Sequence, residues 1–254
     1  LTAFCDEVTI KVMYAAQIPG KEGEEPLAGC KDLNRLREII DATKERYFPQ
    51  DDLHPVPGGG KAPCPKIMGI FINPTARNIS SYDTWSGPRY PFVGIKSLWR
   101  VFHKAGILDP VTMGTIESSQ HWATDTATAV LNALDKAGVY LTNIVKRSYR
   151  GPQLPDKGMV KMFLPILLKE IEIVQPLCIV TFGGFPFFYL TGNRLKLDEY
   201  YRSINEKDPL GGFSLPICSR SCRVVPCYFP VGRGSPARAT EILRRLWNEL
   251  KAGH

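Results

Sequence analysis

The chain contains no run of about 18 apolar residues, so no segment of it is expected to span a membrane. Cysteine is sparse. Its seven copies are an odd number without dense spacing or a Cys-x-x-Cys pair, which excludes a disulfide-stapled secreted scaffold. An intracellular protein is therefore expected, cytoplasmic in a prokaryote or nuclear in a eukaryote. Leu1 to Cys5 lack the charged segment and apolar stretch of a secretory leader. Cys218, Cys222 and Cys227 have spacings of four and five residues that match no standard zinc knuckle, and no neighbouring histidine completes a set. No metal or cofactor is expected.

A dinucleotide fingerprint is absent, and so is a phosphate loop. Gly58-Gly59-Gly60-Lys61 is followed by Ala62-Pro63 rather than Ser or Thr, and no strand precedes it. The chain has no internal repeat. Acidic residues are outnumbered, 25 against 32 Lys and Arg, and the net charge of +7 favours a polyanionic partner.

What is present is ordinary globular material: 254 residues, 44% hydrophobic and 22% charged, enough to bury a core without disulfides or metals. Residues 1–30 give no clear pattern. Leu33, Leu36, Ile39, Ile40 and Ala42 recur at helical spacing over 31–47, with Asp32 as the cap. Phe48 to Pro65, with five prolines and three consecutive glycines, reads as a connector. Residues 1–65 thus form an N-terminal extension packed on a main domain of 66–254.

In that domain strands are expected at 67–72, 139–145 and 178–182. Helices are expected at 95–105, 124–137, 159–174 and 185–190, and 193–212 reads as a charged loop. A hairpin of 213–218 against 222–228 turns at Ser219-Arg220-Ser221, before a final helix over 236–251. Strands separated by helices imply crossover connections. The fold class is α/β: a three-layer α/β/α sandwich around a central, mostly parallel sheet.

Ile67 to Ile72 is an apolar run that stops at Asn73-Pro74, placing a neutral amide at the carboxyl edge of the sheet. Open α/β sheets bind ligands at that edge. Asn143 ends a second apolar strand, and a buried amide needs partners. Asn73-Pro74, Tyr90-Pro91-Phe92 with the Trp99 helix behind it, Tyr140-Leu141-Thr142-Asn143-Ile144-Val145-Lys146, and Tyr228-Phe229-Pro230-Val231-Gly232-Arg233 follow one another in an order that resembles the uracil-DNA glycosylase superfamily over roughly residues 66–250. The first two motifs resemble the mismatch-specific uracil glycosylases. The third, with Pro91-Phe92-Val93-Gly94, resembles the iron–sulfur uracil glycosylases of thermophiles.

The resemblance implies a monofunctional, monomeric DNA glycosylase of base excision repair that hydrolyses the N-glycosidic bond of uracil, or another deaminated base, in DNA. A base must leave the duplex to be reached, and is then read by stacking and along its pairing edge. By resemblance Asn73 positions the attacking water, while Ile72, Thr75, Phe92 and Asn143 hold the base. Phe92 stacks on it, and the Asn143 amide suits the O4 and N3–H of uracil but not the opposite polarity of cytosine. Thr75 stands where the superfamily often carries Gly or Tyr, and is intermediate in size. Arg77, Ser80, Lys146, Arg147, Arg150, Gly232, Arg233 and Ser235 are the candidate DNA contacts, with Arg233 at the wedge position.

Two departures stand out. Phe229 occupies the His or Asn position of the second motif and cannot donate a hydrogen bond to the uracil O2. The cysteine that the iron–sulfur subgroup needs two residues after the strand's lysine is replaced within Lys146-Arg147-Ser148, so no cluster is expected. Phe229 also leaves open a catalytically weak member that binds DNA or damage.

Overall fold

The computed structural model describes residues 27, 29–206, 210, 212–217 and 220–252. The first helix among the described residues, α1 (Leu33–Tyr47), begins at Asp32, whose carboxylate accepts from the backbone N–H groups of Asn34 and Arg35. A two-residue strand, β1 (Gly59–Gly60), precedes the central strand β2 (Ile67–Phe71). Then come α2 (Lys96–Lys104), α3 (Pro110–Ser118), α4 (Thr124–Ala137) and β3 (Val139–Asn143). They are followed by α5 (Lys157–Val174), β4 (Cys178–Phe182), α6 (Gly184–Thr191) and α7 (Leu197–Glu206). A hairpin of β5 (Phe213–Ile217) and β6 (Arg220–Cys227) leads to α8 (Pro236–Ala252).

The strands form one six-stranded sheet in the order β1-β3-β2-β4-β6-β5, parallel from β3 to β6 and antiparallel at both edges. The mostly parallel sheet expected from the sequence is present. β2, β3 and β4 are buried at every residue, which is why they read as unbroken apolar runs rather than alternating ones.

Side chains still alternate between two cores. Ile67, Phe71, Leu141, Val180 and Phe182 face a layer built from α2, α3, α4, α7 and α8. Met68, Ile70, Tyr140, Ile179 and Val224 face α1, α5 and α6. The result is the expected three-layer sandwich.

Several expected boundaries change. The connector supplies an edge strand: Gly59 and Gly60 pair with Leu141 and Tyr140, and a Cβ on Gly60 would lie 2.2 Å from the Val139 carbonyl oxygen, so only glycine approaches this closely. The segment read as a charged loop contains α7, whose Tyr200 and Ile204 are buried. α3 was not anticipated, although Asp109 caps it and Pro110 opens it. The hairpin resumes as strand at Arg220, so Arg220 and Ser221 are ladder residues, paired with Ile217 and Pro216, rather than turn residues. Residues 218–219, and with them Cys218, lie outside the described residues, as do 1–26.

Candidate functional site

The parallel strands end together, and their carboxyl edge carries four loops. Phe71 and Asn143 are register partners, so their side chains leave the same face of the sheet side by side. Beyond them Ile144 and Val145 donate to the carbonyls of Phe71 and Ile72 (2.9 and 3.0 Å), and Thr75 bridges to Tyr149. The loops after β2 and β3 therefore leave the sheet as a pair. Asn143 is 1% exposed, and its side-chain nitrogen is buried without a hydrogen-bond partner. Such an orphan donor is one that a ligand atom can satisfy; the buried polar atoms of Trp122, Tyr149, Thr181 and Trp247 are likewise without a partner.

An aromatic wall lies on the same face of the sheet. The Phe71 ring stacks on Phe182 at 4.3 Å and 7°, and meets Phe92 at 4.5 Å and Phe229 edge-on at 6.3 Å. Phe92 reaches it from the loop after β2 with φ of 68°, a left-handed backbone that a bulky residue adopts only when its surroundings impose it. Its carbonyl accepts from the Trp99 indole N–H at 3.3 Å and from the Ile95 N–H at 3.1 Å.

Asn78 organises the same loop. Its amide donates to the Tyr90 carbonyl (3.0 Å), and its oxygen accepts from the Ser80 backbone N–H (3.2 Å) and hydroxyl (3.0 Å). Asn73 is partly exposed at the mouth, its amide nitrogen donating to the Pro74 carbonyl at 3.0 Å.

The fourth loop runs from Tyr228 to Ser235. The Ser235 N–H donates back to the Phe229 carbonyl at 3.0 Å, and Gly232 turns the chain with φ of 61°. A Cβ on Gly234 would lie 1.8 Å from the Phe229 carbonyl oxygen, so this close return requires glycine. Arg238 from α8 donates to the Tyr228 hydroxyl (2.8 Å) and to Asp198. Tyr228 also donates to Asp198, at 2.5 Å. Hydrogen bonds from Tyr228 and Arg238 hold the Asp198 carboxyl below its ordinary value.

Residues 58–251, more than half of the chain, match the family model described as the Uracil DNA glycosylase superfamily. The chain belongs to this superfamily. No individual curated protein matches it. Membership supports a general DNA glycosylase role in base excision repair, and the match is to the superfamily as a whole rather than to one of its subgroups.

The residues expected at the base site lie on segments that leave the carboxyl edge of the sheet or on the strand end there: Ile72, Asn73, Thr75 and Phe92 between β2 and α2, and Asn143 at the end of β3. The expected DNA contacts divide. Arg77 is exposed beside Thr75, and Gly232, Arg233 and Ser235 lie on the loop that carries Phe229, with Arg233 exposed. Arg150 is exposed and ion-paired with Asp52.

Three expected contacts are corrected. Ser80 is fully buried, its hydroxyl engaged by Asn78 and the Tyr90 carbonyl, so it shapes the Phe92 loop instead of meeting phosphate. Arg147 is committed to Asp51 through two hydrogen bonds (2.7 and 3.0 Å), with its guanidinium 4.1 Å from the Phe48 ring. It fastens the connector to the site loop.

Lys146 is 0% exposed. Its ammonium donates to Glu170 (2.5 Å), Thr142 (2.5 Å) and the Asn143 carbonyl (2.7 Å), on the face of β3 opposite the aromatic wall. Burial pulls its pKa below the ordinary lysine value, and the Glu170 carboxylate opposes that shift. Glu170 also accepts from the hydroxyls of Tyr140 and Thr142, each at 2.8 Å.

Glu170, Asn78, Phe71 and Phe182 were missed as site-building residues. Glu170 did leave a signal, an acid on the otherwise apolar face of α5. Among the described residues no group of three or more His, Cys, Asp or Glu side chains is arranged to hold a metal ion.

Proposed function

We propose that the chain is a monofunctional DNA glycosylase that hydrolyses the N-glycosidic bond of uracil, or a related deaminated base, flipped out of DNA. The observation that carries this reading is the unpartnered, buried Asn143 amide nitrogen in register with Phe71, whose ring meets Phe92 at 4.5 Å. A buried amide N–H is matched by the O4 acceptor of uracil and opposed by the amino group of cytosine.

Asn73 serves as the water-positioning residue. With its nitrogen held by the Pro74 carbonyl, its oxygen is the end that accepts from a water. A neutral amide is a weak base, so its contribution is placement of the nucleophile more than proton abstraction. Phe92 provides the stacking face, and Thr75 borders the base site. Arg77, Arg150 and Arg233 contribute positive charge around the mouth, and Gly232 and Ser235 bring backbone close to the phosphates.

The amide and Phe71 are each 1% exposed and Phe92 is 9% exposed, so the base gains access only when the wall parts. Phe229 is the partly exposed member of that wall and belongs to the glycine-bearing loop, so its displacement opens the site with least loss of buried surface.

Treating duplexes that contain uracil, hypoxanthine or xanthine with the protein and then with alkali tests the reading. Strand breaks at one of these bases are expected, and intact strands for all three refute it. The second reading, a catalytically weak member that binds damage, is favoured by Phe229 alone. Salt-sensitive binding to uracil or abasic DNA without turnover identifies it.

A further inference from the structure

The buried Lys146–Glu170 pair lies on the far side of β3 from the aromatic wall, yet one of its hydrogen bonds ends on the peptide of the residue that faces that wall. All three Lys146 donors are used, on Glu170, on Thr142 and on the carbonyl of Asn143. Glu170 is anchored in turn by Tyr140 and Thr142, the two β3 residues that project toward α5. Tyr140, Thr142 and Asn143 of β3 are thereby tied to the middle of α5.

Packing around the pair is tight. A Cβ on Gly58 would lie 2.4 Å from both a Glu170 carboxylate oxygen and the Tyr140 hydroxyl, which leaves the network no slack on that side. An ion pair taken this completely out of water is a weak source of stability, because the desolvation of both groups offsets their attraction. An apolar pair would fill the space at least as well. What an apolar pair cannot do is hold the Asn143 carbonyl.

We propose that Lys146 is a positioning residue: by fixing the Asn143 peptide from behind, with Glu170 as its buried counter-ion, it sets the direction in which the Asn143 carboxamide meets the flipped base. The proposal rests on the reading of Asn143 as the base-reading amide. A shift of about 1 Å in such a group is enough to cost on the order of a hundred-fold in rate.

The test compares the wild-type protein with Lys146→Met/Glu170→Gln. The double variant removes both charges, keeps a carboxamide at position 170 to bond Tyr140 and Thr142, and deletes the donor to the Asn143 carbonyl. Two quantities are read beside the thermal midpoint. One is the side-chain amide resonance of Asn143, assigned by its loss in Asn143→Leu. The other is base release from uracil-containing duplex, split into kcat and KM.

The expected result is a folded protein whose Asn143 amide resonance moves or broadens. Its kcat falls about ten- to a hundred-fold while KM changes less than about two-fold. Glu170→Gln alone keeps the ammonium donor and is expected to leave the Asn143 resonance in place. If the double variant does not fold, Lys146→Leu/Glu170→Gln makes the same comparison with a smaller apolar side chain.

An unchanged Asn143 resonance together with a wild-type kcat overturns the proposal. The resonance is read without turnover, so it separates the two ideas. If the wild-type protein releases no base but the resonance still responds to the double variant, the glycosylase reading fails and the positioning role stands.

Discussion

Replacing Asn143 with Leu is expected to make the protein more stable. The Asn143 side-chain nitrogen is buried without a partner in a residue 1% exposed. A donor stranded in this way costs about 1–3 kcal/mol of desolvation that no hydrogen bond returns. Leucine has a similar shape, places no polar atom there, and meets Phe71 in the neighbouring register position on the same face. The gain should therefore be about 1–3 kcal/mol. In a chain of this size that raises the thermal midpoint by roughly 2–10 °C.

Denaturant titration is the better assay, since a shift in midpoint at unchanged slope reports stability itself. Asn143→Ala is the control. It removes the same orphan donor but leaves a cavity, so it should gain less than leucine or lose stability. A lower midpoint for Asn143→Leu with an unchanged slope would show that the amide already has a partner in the folded protein. The inference from its isolation would then fail.

Other perturbations probe separate parts of the account. Lys146→Met alone leaves the Glu170 carboxylate buried without its counter-ion and should destabilise by about 3–5 kcal/mol in urea titration; a loss below about 1 kcal/mol would mean that the carboxylate is readily hydrated or protonated. At high pH, burial pushes the Cys222 and Cys178 thiols from 9.0 up to about 11 and about 12. Because the folded values lie above the unfolded one, their contribution is intact below about pH 9 and is lost as the pH rises through the folded values. Melting temperature should fall progressively from about pH 9 to 12, less steeply in Cys178→Ala, and equal slopes for that variant and wild type would refute this assignment. Phe229→His would restore a donor at the second-motif position. If the loop is placed for catalysis, base release should rise, by up to about 10²–10³-fold for a well-aimed donor, and unchanged single-turnover rates would show that the position does not face the reacting base.

The elements legible in the sequence were those whose signals agree at every level. Thr124–Ala137 combines an amphipathic pattern with Gly138, which closes the helix at φ of 77°, and Cys178–Phe182 is bounded by a glycine pair. Pro110–Ser118 escaped because only Met113 and Ile116 of its residues are buried and Val111 is 80% exposed, so its apolar stripe is too short to show a period. Leu197–Glu206 was hidden by its charge, since Asp198, Glu199 and Arg202 surround the two buried residues Tyr200 and Ile204. Gly59–Gly60 carries no strand propensity at all; it pairs because β3 needs an edge partner and glycine can approach.

Strand ends were easier to read than side-chain surroundings. Asn73 and Asn143 follow apolar runs, so their place at the carboxyl edge was visible. Residue type reports polarity but not partners, so the sequence alone points to surface contacts at Lys146 and Ser80. The groups that bury them are distant in sequence, Glu170 for Lys146 and the Tyr90 carbonyl for Ser80. Arg147 is held by Asp51, which lies in a connector with no visible link to the site.

Reading of the flipped base by the Asn143 amide is open to direct measurement. The direct measurement is the single-turnover rate of free-base release, by mass spectrometry, from a duplex with one uracil, for wild type and for folded Asn143→Leu. The account predicts release by the wild-type protein and a rate lower by about 2–3 orders of magnitude in the variant, comparable to loss of a well-aimed donor in other active sites. Equal rates, or no free base from the wild-type protein, would contradict it.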